Sequence, residues 1–436
     1  MGQTGLEHLH RLHDLSSRLV SEVQTLVKSC PSADCQHPFL RTWEGQIGEA
    51  EAKSNILSSM NEIDALVRGP KDFLENLAVQ CEMLGSLQWL GEFQILACIP
   101  LRQEVPIKDV ADLSNVPEKQ LTQIIRLTAR CGFLGEPKRG YVAHTPLSAC
   151  FVAHPSHLDA AMFLAEYAAP AALKSALATQ RCKDGHPTNE TAFNLAARTK
   201  TTFAVAREQN PRLGRQWAAF LQHAAGVAED HVVAEAMAKL NWSNISKAGG
   251  QVVEVGAYLA AKPLARLFPK LRFLVQLPCR PSSCEPSPCD ARDASHPDQV
   301  VITSRMSGTP QSVTSAAVYV LHLPSSVPCH VLTELQVHLP ALRMSSGVML
   351  VMTTRFLPGL DEPMHEKQAA VAHARGLIMY QMTSEMEMDL SSLLQMIDTV
   401  RDSTGKMVLV HKLCSCSGTT VALMVKYQLA AAGSTG

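Results

Sequence analysis

Gln251–Pro278 reads QVVEVGAYLAAKPLARLFPKLRFLVQLP, and the architecture of the chain follows from it. An apolar, β-branched run (Val252, Val253, Val255) ends at Gly256. A helical segment then carries Leu264, Ala265 and Leu267, and a second apolar run follows over Leu271–Leu277. Strand, turn, helix and strand in that order set two parallel strands side by side, and such sheets bind nucleotides beside the carboxyl ends of their strands. The turn is wrong for that work. A nucleotide-binding turn takes successive glycines so that bare backbone approaches the ligand. This one continues Ala257, Tyr258, Leu259, Ala260, Ala261, and Tyr258 and Leu259 are expected to fill the space of a cofactor. An acidic residue for ribose hydroxyls is due at the end of the second strand, where Gln276, Leu277 and Pro278 stand.

The segments VVEVG and LARLFPKLRFLVQ resemble the S-adenosylmethionine-binding region of plant- and fungal-type O-methyltransferases, whose pattern is VVDVGGGxGHxxxxLAxxFPxLxFxVQD. Against that pattern Glu254 stands for Asp, the glycine run is missing, and the turn and helix are two residues shorter. Leu277 occupies the position of the ribose-binding Asp. A closer resemblance is to the fungal transcriptional coactivators of polyketide gene clusters, the aflatoxin AflS/AflJ type and its monodictyphenone-type relatives. It is carried by LQWLGEFQILACIPL (Leu87–Leu101), RLGRQWAAF (Arg212–Phe220) and SGTPQSVTSAAVYVLHLPS (Ser307–Ser325), and it runs from about Leu77 to Tyr427. The fold it implies is α/β: a helical and winged-helix region followed by a Rossmann-like class I methyltransferase domain with a degenerate cofactor site.

With 436 residues the chain has room for two or three domains. A net charge of −1 argues against a surface that holds nucleic acid along its whole length. Thirteen cysteines without framework spacing, and no signal-peptide pattern at the first residues, fit a reducing compartment. No apolar run approaches the ~20 residues of a membrane span. Lys138-Arg139 is too short to serve as a nuclear import signal.

Four segments are expected. Residues 1–75 form a helical arm, with Leu9, Leu12, Leu15, Leu19, Val23 and Leu26 at helical spacing and a Pro-containing break at Cys30–Pro38. Dimerisation or packing suits it better than chemistry. Residues 76–155 hold two short helices, Ile107–Leu113 and Pro117–Cys131, then a hairpin through Pro137–Gly140 to Tyr141 and Val142, a winged helix-turn-helix pattern. Glu118, Lys119, Gln120 and Gln123 face outwards on its second helix, with Lys138 and Arg139 on the wing. Acidic neighbours (Glu104, Asp109, Asp112, Glu136) dilute any phosphate-binding field, so direct sequence-specific DNA binding is not expected. Residues 156–247 read as a helical connector. Its Phe163, Tyr167, Phe193, Phe203, Trp217 and Phe220 would either line a pocket for a flat aromatic molecule or build core, and burial statistics favour core. Residues 248–430 continue the β/α alternation, with strands at Val300–Thr303, Ala316–His322 and Val348–Thr353, a helix from Val331 ending near Pro340, and a terminal antiparallel pair. Within them 279–298, rich in Pro, Ser and charge, reads as a flexible loop. Its Cys279, Cys284, Cys289 and His296 match no zinc template, and no metal is expected.

Methylating a phenol needs a base, usually a His held by carboxylates. The resemblance puts that base at Ser326, counting along VYVLHLPSS from Val318. His322 stands where the family has Arg, and a satisfied structural role is expected for it. The orienting acid falls on Thr354–Pro358, which offers no carboxylate, with Glu385 or Glu387 as a loose second choice. With no cofactor expected, Glu254, Gly256, Tyr258 and Leu277 mark a degenerate site and Ser326 a lost base. The resemblance implies a catalytically silent transcriptional coactivator that works with a Zn(II)2Cys6 activator on a fungal aromatic-polyketide gene cluster. A nuclear location with a cytoplasmic pool, and a homodimer, come with it. The rivals are an active O-methyltransferase, a DNA-binding regulator and a sensor of pathway metabolites.

Overall fold

The computed structural model describes residues 2–29, 43–183, 190–225, 237, 239–279, 291–292, 299–323, 325–353, 356–357, 366–414 and 421–430. The chain folds as two compact units, one made of Met1–Leu66, Ala228–His373 and Met386–Gly436, the other of Val67–Val227 and Ala374–Glu385.

The first unit opens with α1 (Gly2–Ser29) and α2 (Trp43–Val67). Arg11 on α1 pairs with Glu62 on α2, and Asn55 donates to Glu22, so the two helices are neighbours. The second unit begins with α3 (Pro70–Glu92), started by Pro70 and by the Asp72 carboxylate accepting from the Gly69 N–H at 3.0 Å. After α4 (Ile95–Cys98) come β1 (Val105–Pro106), α5 (Ile107–Ser114) and α6 (Glu118–Arg130), then β2 (Leu134–Gly135) and β3 (Tyr141–His144). The turn between α5 and α6 is made by Asn115 in the left-handed region, φ 53°, which ends α5. The three short strands form one antiparallel sheet in the order β1-β3-β2. Leu121, Ile125 and Phe133 bury one side of this group against Leu90, Ile95 and Ile107.

The connector is helical throughout its described part: α7 (Pro146–Ala153), α8 (Ser156–Phe163), a π-helical turn (Leu164–Ala168), α9 (Ala169–Lys183), α10 (Ala192–Ala197), α11 (Phe203–Gln209) and α12 (Pro211–His223). Asn210 caps α12, its side chain accepting from the N–H groups of Arg212 and Leu213.

The first unit resumes with α13 (Trp242–Lys247), β4 (Gln251–Val255), α14 (Ala261–Leu267), β5 (Arg272–Pro278), β6 (Ala291–Arg292), β7 (Val300–Arg305), β8 (Val318–His322), α15 (Pro328–Ser345) and β9 (Val348–Met352). The helices α16 (Glu366–Thr383) and α17 (Leu390–Thr399) and the hairpin β10 (Gly405–Cys414) and β11 (Val421–Leu429) complete it, α16 passing into the second unit at Ala374. Eight strands lie in the order β10-β11-β9-β8-β4-β5-β7-β6, with β4, β5, β7, β8 and β9 parallel and β6, β10 and β11 antiparallel to their neighbours. Alternate residues enter opposite layers. Val253, Tyr319, Leu321, Met349 and Val351 face one, while Val252, Val318, Val320, Leu350 and Met352 face the other. A parallel sheet buried on both faces requires such near-continuous apolar strands. Within 279–298, Ala291 and Arg292 pair with Ile302 and Val301, while 280–290 and 293–298 lie outside the described residues.

Most boundaries move by a residue or two from the sequence expectation, and one helix differs by more. The helix expected to end near Pro340 runs on to Ser345, with Pro340 inside it. Leu339, Ala341 and Leu342 are all buried against the sheet, and that packing carries the helix past a residue that cannot donate to the carbonyl four positions back. Pro340 is exposed, so its ring adds little packing. An interior proline costs about 3 kcal/mol, while its stiffening of the unfolded chain returns about 1. Pro340→Ala should therefore stabilise the protein by about 2 kcal/mol in urea unfolding; a loss would show that the ring is needed.

Candidate functional site

The carboxyl ends of β4, β5 and β8 meet at the corner where a doubly wound sheet holds its ligand. Gly256 turns the chain away from β4 with φ +91°, its N–H bonded to the Gln276 carbonyl at 2.9 Å. A Cβ at this position would lie 2.2 Å from the carbonyl oxygen of His322. The close approach of β4 and the end of β8 by itself requires the glycine.

The fully buried Glu254 fills the corner beyond it. Its Oε1 accepts from the N–H groups of Leu259 at 2.8 Å and Ala260 at 2.7 Å, and lies 2.9 Å from His322 Nε2. Its Oε2 accepts from the Ala261 N–H at 2.7 Å. These three amides are the orphan donors at the start of α14, which has no side-chain cap of its own. A carboxylate offers about four lone-pair sites, and here four donors meet it.

Tyr258 and Leu259 fold inward, partly buried against the layer of Trp242, Leu264 and Phe273. Leu277 pairs with Ser304 inside the sheet and packs on the same layer. Gln276, one residue before it, is buried and exchanges two bonds with Gln311, at 3.2 and 2.8 Å. Ser326 is buried just ahead of α15, its carbonyl accepting from the Met388 N–H. His322 is therefore partnered by Glu254, from the neighbouring strand. Of the segment expected to supply an orienting acid, Phe356 is buried and Leu357 bridges to Asp389, while Thr354, Arg355 and Pro358 lie outside the described residues. Glu385 is exposed.

A second buried group stands beside the first. Arg305 at the end of β7 pairs with Glu334 of α15 at 3.1 Å and donates to the Thr309 carbonyl, and Glu334 also accepts from the Gly308 N–H. Below it His338 Nδ1 lies 2.7 Å from the Glu334 carbonyl oxygen. Burial, aided by Arg305, pushes His338 down to about 4 against the pull of Glu334. Sequence reading passed over this cluster because Arg305, Glu334 and His338 belong to no motif. Between the two groups remains a recess of about 260 Å³, its open mouth included, walled by Gly256, Gln276, Arg305, Ser307, His322 and Glu334 among others.

In the second unit the six aromatic residues of the connector pack on one another. Trp217 lies 5.0 Å from Phe203 and 5.2 Å from Phe163, and Phe163 lies 4.9 Å from Phe220, ring to ring. They are core, with Ala171 and Met382 between them. On α6, Glu118, Lys119, Gln120 and Gln123 are exposed. Of the nearby cations, Arg126 pairs with Glu136 at 3.7 Å and Lys138 with Glu104 while it sits over the Tyr141 ring, and Lys119 and Arg139 are exposed. Cys279 is exposed, and Cys284, Cys289 and His296 lie outside the described residues.

Two measurements check this geometry. Gly256→Ala sets a side chain at positive φ against a backbone oxygen and should cost about 3 kcal/mol or more of stability, with or without ligand; a neutral result would show that β4 and β8 stand further apart. His338 stays neutral in the folded chain down to about pH 4, whereas in the unfolded chain it takes its proton near 6.5. The unfolded state then binds more protons between those values, so stability falls as the pH drops through them. Between about pH 7 and pH 4.5 the protein should lose about 2 kcal/mol more than its His338→Gln variant does; equal slopes would contradict the burial.

No family model matches the chain. It is 73% identical over 424 residues to the ergochrome gene cluster transcriptional coactivator of Claviceps purpurea, covering 97% of this chain and 91% of that one. It is 37% identical over 410 residues to the dothistromin biosynthesis regulatory protein aflJ of Dothistroma septosporum, covering 87% and 89%. The solved structure of the mitomycin 7-O-methyltransferase MmcR superposes with a TM-score of 0.60 at 16% identity, over 82% of this chain and 98% of that one, a likeness of fold. The corner is thus that of an O-methyltransferase-like sheet, and the chain belongs to the fungal family of secondary-metabolite-cluster transcriptional coactivators of the AflJ type.

Proposed function

We propose that this coactivator is a catalytically silent display scaffold that promotes expression of an aromatic-polyketide gene cluster together with a Zn(II)2Cys6 activator. The carrying observation is the corner at Gly256, where Glu254 is engaged by the loop amides and by His322, and Tyr258 and Leu259 stand where the turn would need glycines. Glu254, Gly256, Tyr258 and Leu277 are then vestiges of a cofactor site, and Ser326 of a base. The protein needs no cofactor and no metal for this work. What the relatives' names say of gene clusters supports the transcriptional reading.

In this reading the arm 1–75 and the winged-helix module 76–155 offer contact surfaces, the connector 156–247 is core, and 248–430 is the rigid support. The acidic residues beside the module's cations, Glu136 on Arg126 and Glu104 on Lys138, weaken any phosphate-binding field and speak against direct sequence-specific DNA binding. The protein acts in the nucleus, with a cytoplasmic pool, and as a homodimer. No described helix is long and apolar enough to cross a membrane.

The test blocks the recess without touching the core. Ser307 lies exposed at its wall, and Ser307→Trp would exclude any donor. In a strain lacking the native gene, the variant should restore cluster transcription and co-purify with the activator as the parent does. Loss of transcription with stable protein and intact activator binding would point to catalysis instead.

A further inference from the structure

The end of the sheet away from Gly256 gathers positive charge. Strands β4 and β5 start there, Gln251 pairing with Arg272. So does β10, because β11 runs back past the start of β9 and pairs there with Gly405 and Lys406. The helix ends and turns leading into these strands bring six exposed cations to this end. Lys247 closes α13, Arg266 stands in the last turn of α14, Lys270 lies in the turn to β5 and Arg272 opens that strand. Arg401 and Lys406, bridged through their backbones, flank the turn into β10. Among the described residues none of the six side chains makes an ion pair.

The described acids beside them are Asp398 and Asp402. Asp402 is taken, paired with Arg343 at 3.0 Å and accepting from Thr404, Gly405 and Tyr427. In a chain of net charge −1 such a gathering of one sign is local. Helix carbonyl ends favour a cation, which accounts for Lys247 and Arg266. It does not account for Lys270, Arg272 and Lys406, which lie on a turn and on strands. Like charges on one face repel, and an anionic partner would relieve them.

Apolar side chains stand in water among these cations. Leu267 follows Arg266, Met344 follows Arg343 and Leu429 pairs with Gly405, and they are 55%, 65% and 70% exposed. The aromatic residues here, Phe268 and Tyr427, are half-buried, so neither is free to stack on a base. A phosphate backbone would use the cations and leave the apolar groups wet, whereas an acidic peptide with apolar side chains would use both. From β5 to β10 the sheet crosses five strand spacings, about 24 Å, which an extended peptide covers in about eight residues.

We infer that this end of the sheet is a docking surface for an acidic, apolar-bearing peptide segment of a partner protein, laid across the strand starts from β5 to β10. Its carboxylates meet Lys270, Arg272, Arg401 and Lys406, and its apolar groups cover Leu267, Met344 and Leu429. In the coactivator reading, on which only the partner's identity rests, the segment belongs to the activator.

Fluorescence anisotropy of the full chain with a labelled peptide of Asp, Glu and Leu tests it, a random-sequence DNA duplex serving as competitor. The peptide should bind, more weakly as salt rises. Lys270→Glu with Arg272→Glu, and Arg401→Glu with Lys406→Glu, should each weaken it about tenfold. Leu267→Ser should weaken it as well, while Lys174→Glu with Lys183→Glu on α9 should change nothing. All these positions are exposed, and circular dichroism checks the fold; the same cations changed to Gln give a milder second set. A peptide that fails to bind, binding unmoved by the reversals or by Leu267→Ser, or a duplex held more tightly through the same cations overturns the surface. Each of those results leaves the coactivator reading standing, because that reading is tested by transcription in the Ser307→Trp strain.

Discussion

The Glu254 carboxylate holds the sheet domain's corner together. It is fully buried, and it is tolerable there only because three backbone amides and one imidazole surround it. Removing water from an ionised carboxylate is expensive unless hydrogen bonds replace it, and four do. The same four bonds start α14, fix the turn after β4 and tie β4 to the end of β8. A single side chain thus supports the walls of the corner.

The constraint explains why a glycine survives in a turn that has lost its other glycines. Gly256 answers to the His322 carbonyl, 2.2 Å from where its Cβ would be. On the far wall Arg305 and Glu334 neutralise each other and tie β7 to α15. Replacing such a buried pair with apolar groups is often harmless, but breaking it from one side is not. Both clusters therefore stiffen the end of the sheet at which related folds leave room for a ligand.

Much of this was legible in residues 251–278. The β-branched run, the glycine and the second apolar run gave strands β4 and β5, and the terminal hairpin and the parallel order followed from the same alternation. The missing glycines announced a changed corner, yet not what fills it. Tyr258 and Leu259, the bulkiest residues of the turn, pack inward on the apolar layer instead. The filling comes from His322, which lies 68 residues beyond Glu254 and meets it only because β8 pairs with β4. Likewise Pro340 reads as a stop in any local window, and only the burial of Leu339, Ala341 and Leu342 shows why the helix continues. Local pattern reports elements; partners far along the chain decide what a corner is for.

The account turns on whether a sulfonium donor can still enter. Ligand that binds the folded state raises the melting temperature as the logarithm of its concentration above the dissociation constant, by about 2.7 kcal/mol of stability at a hundred times that constant. Thermal unfolding with S-adenosylmethionine, from none to millimolar, tests this directly. The account predicts a melting temperature unchanged across the series. A rise that grows with the logarithm of the donor concentration, with the donor then found beside Gly256, would contradict it.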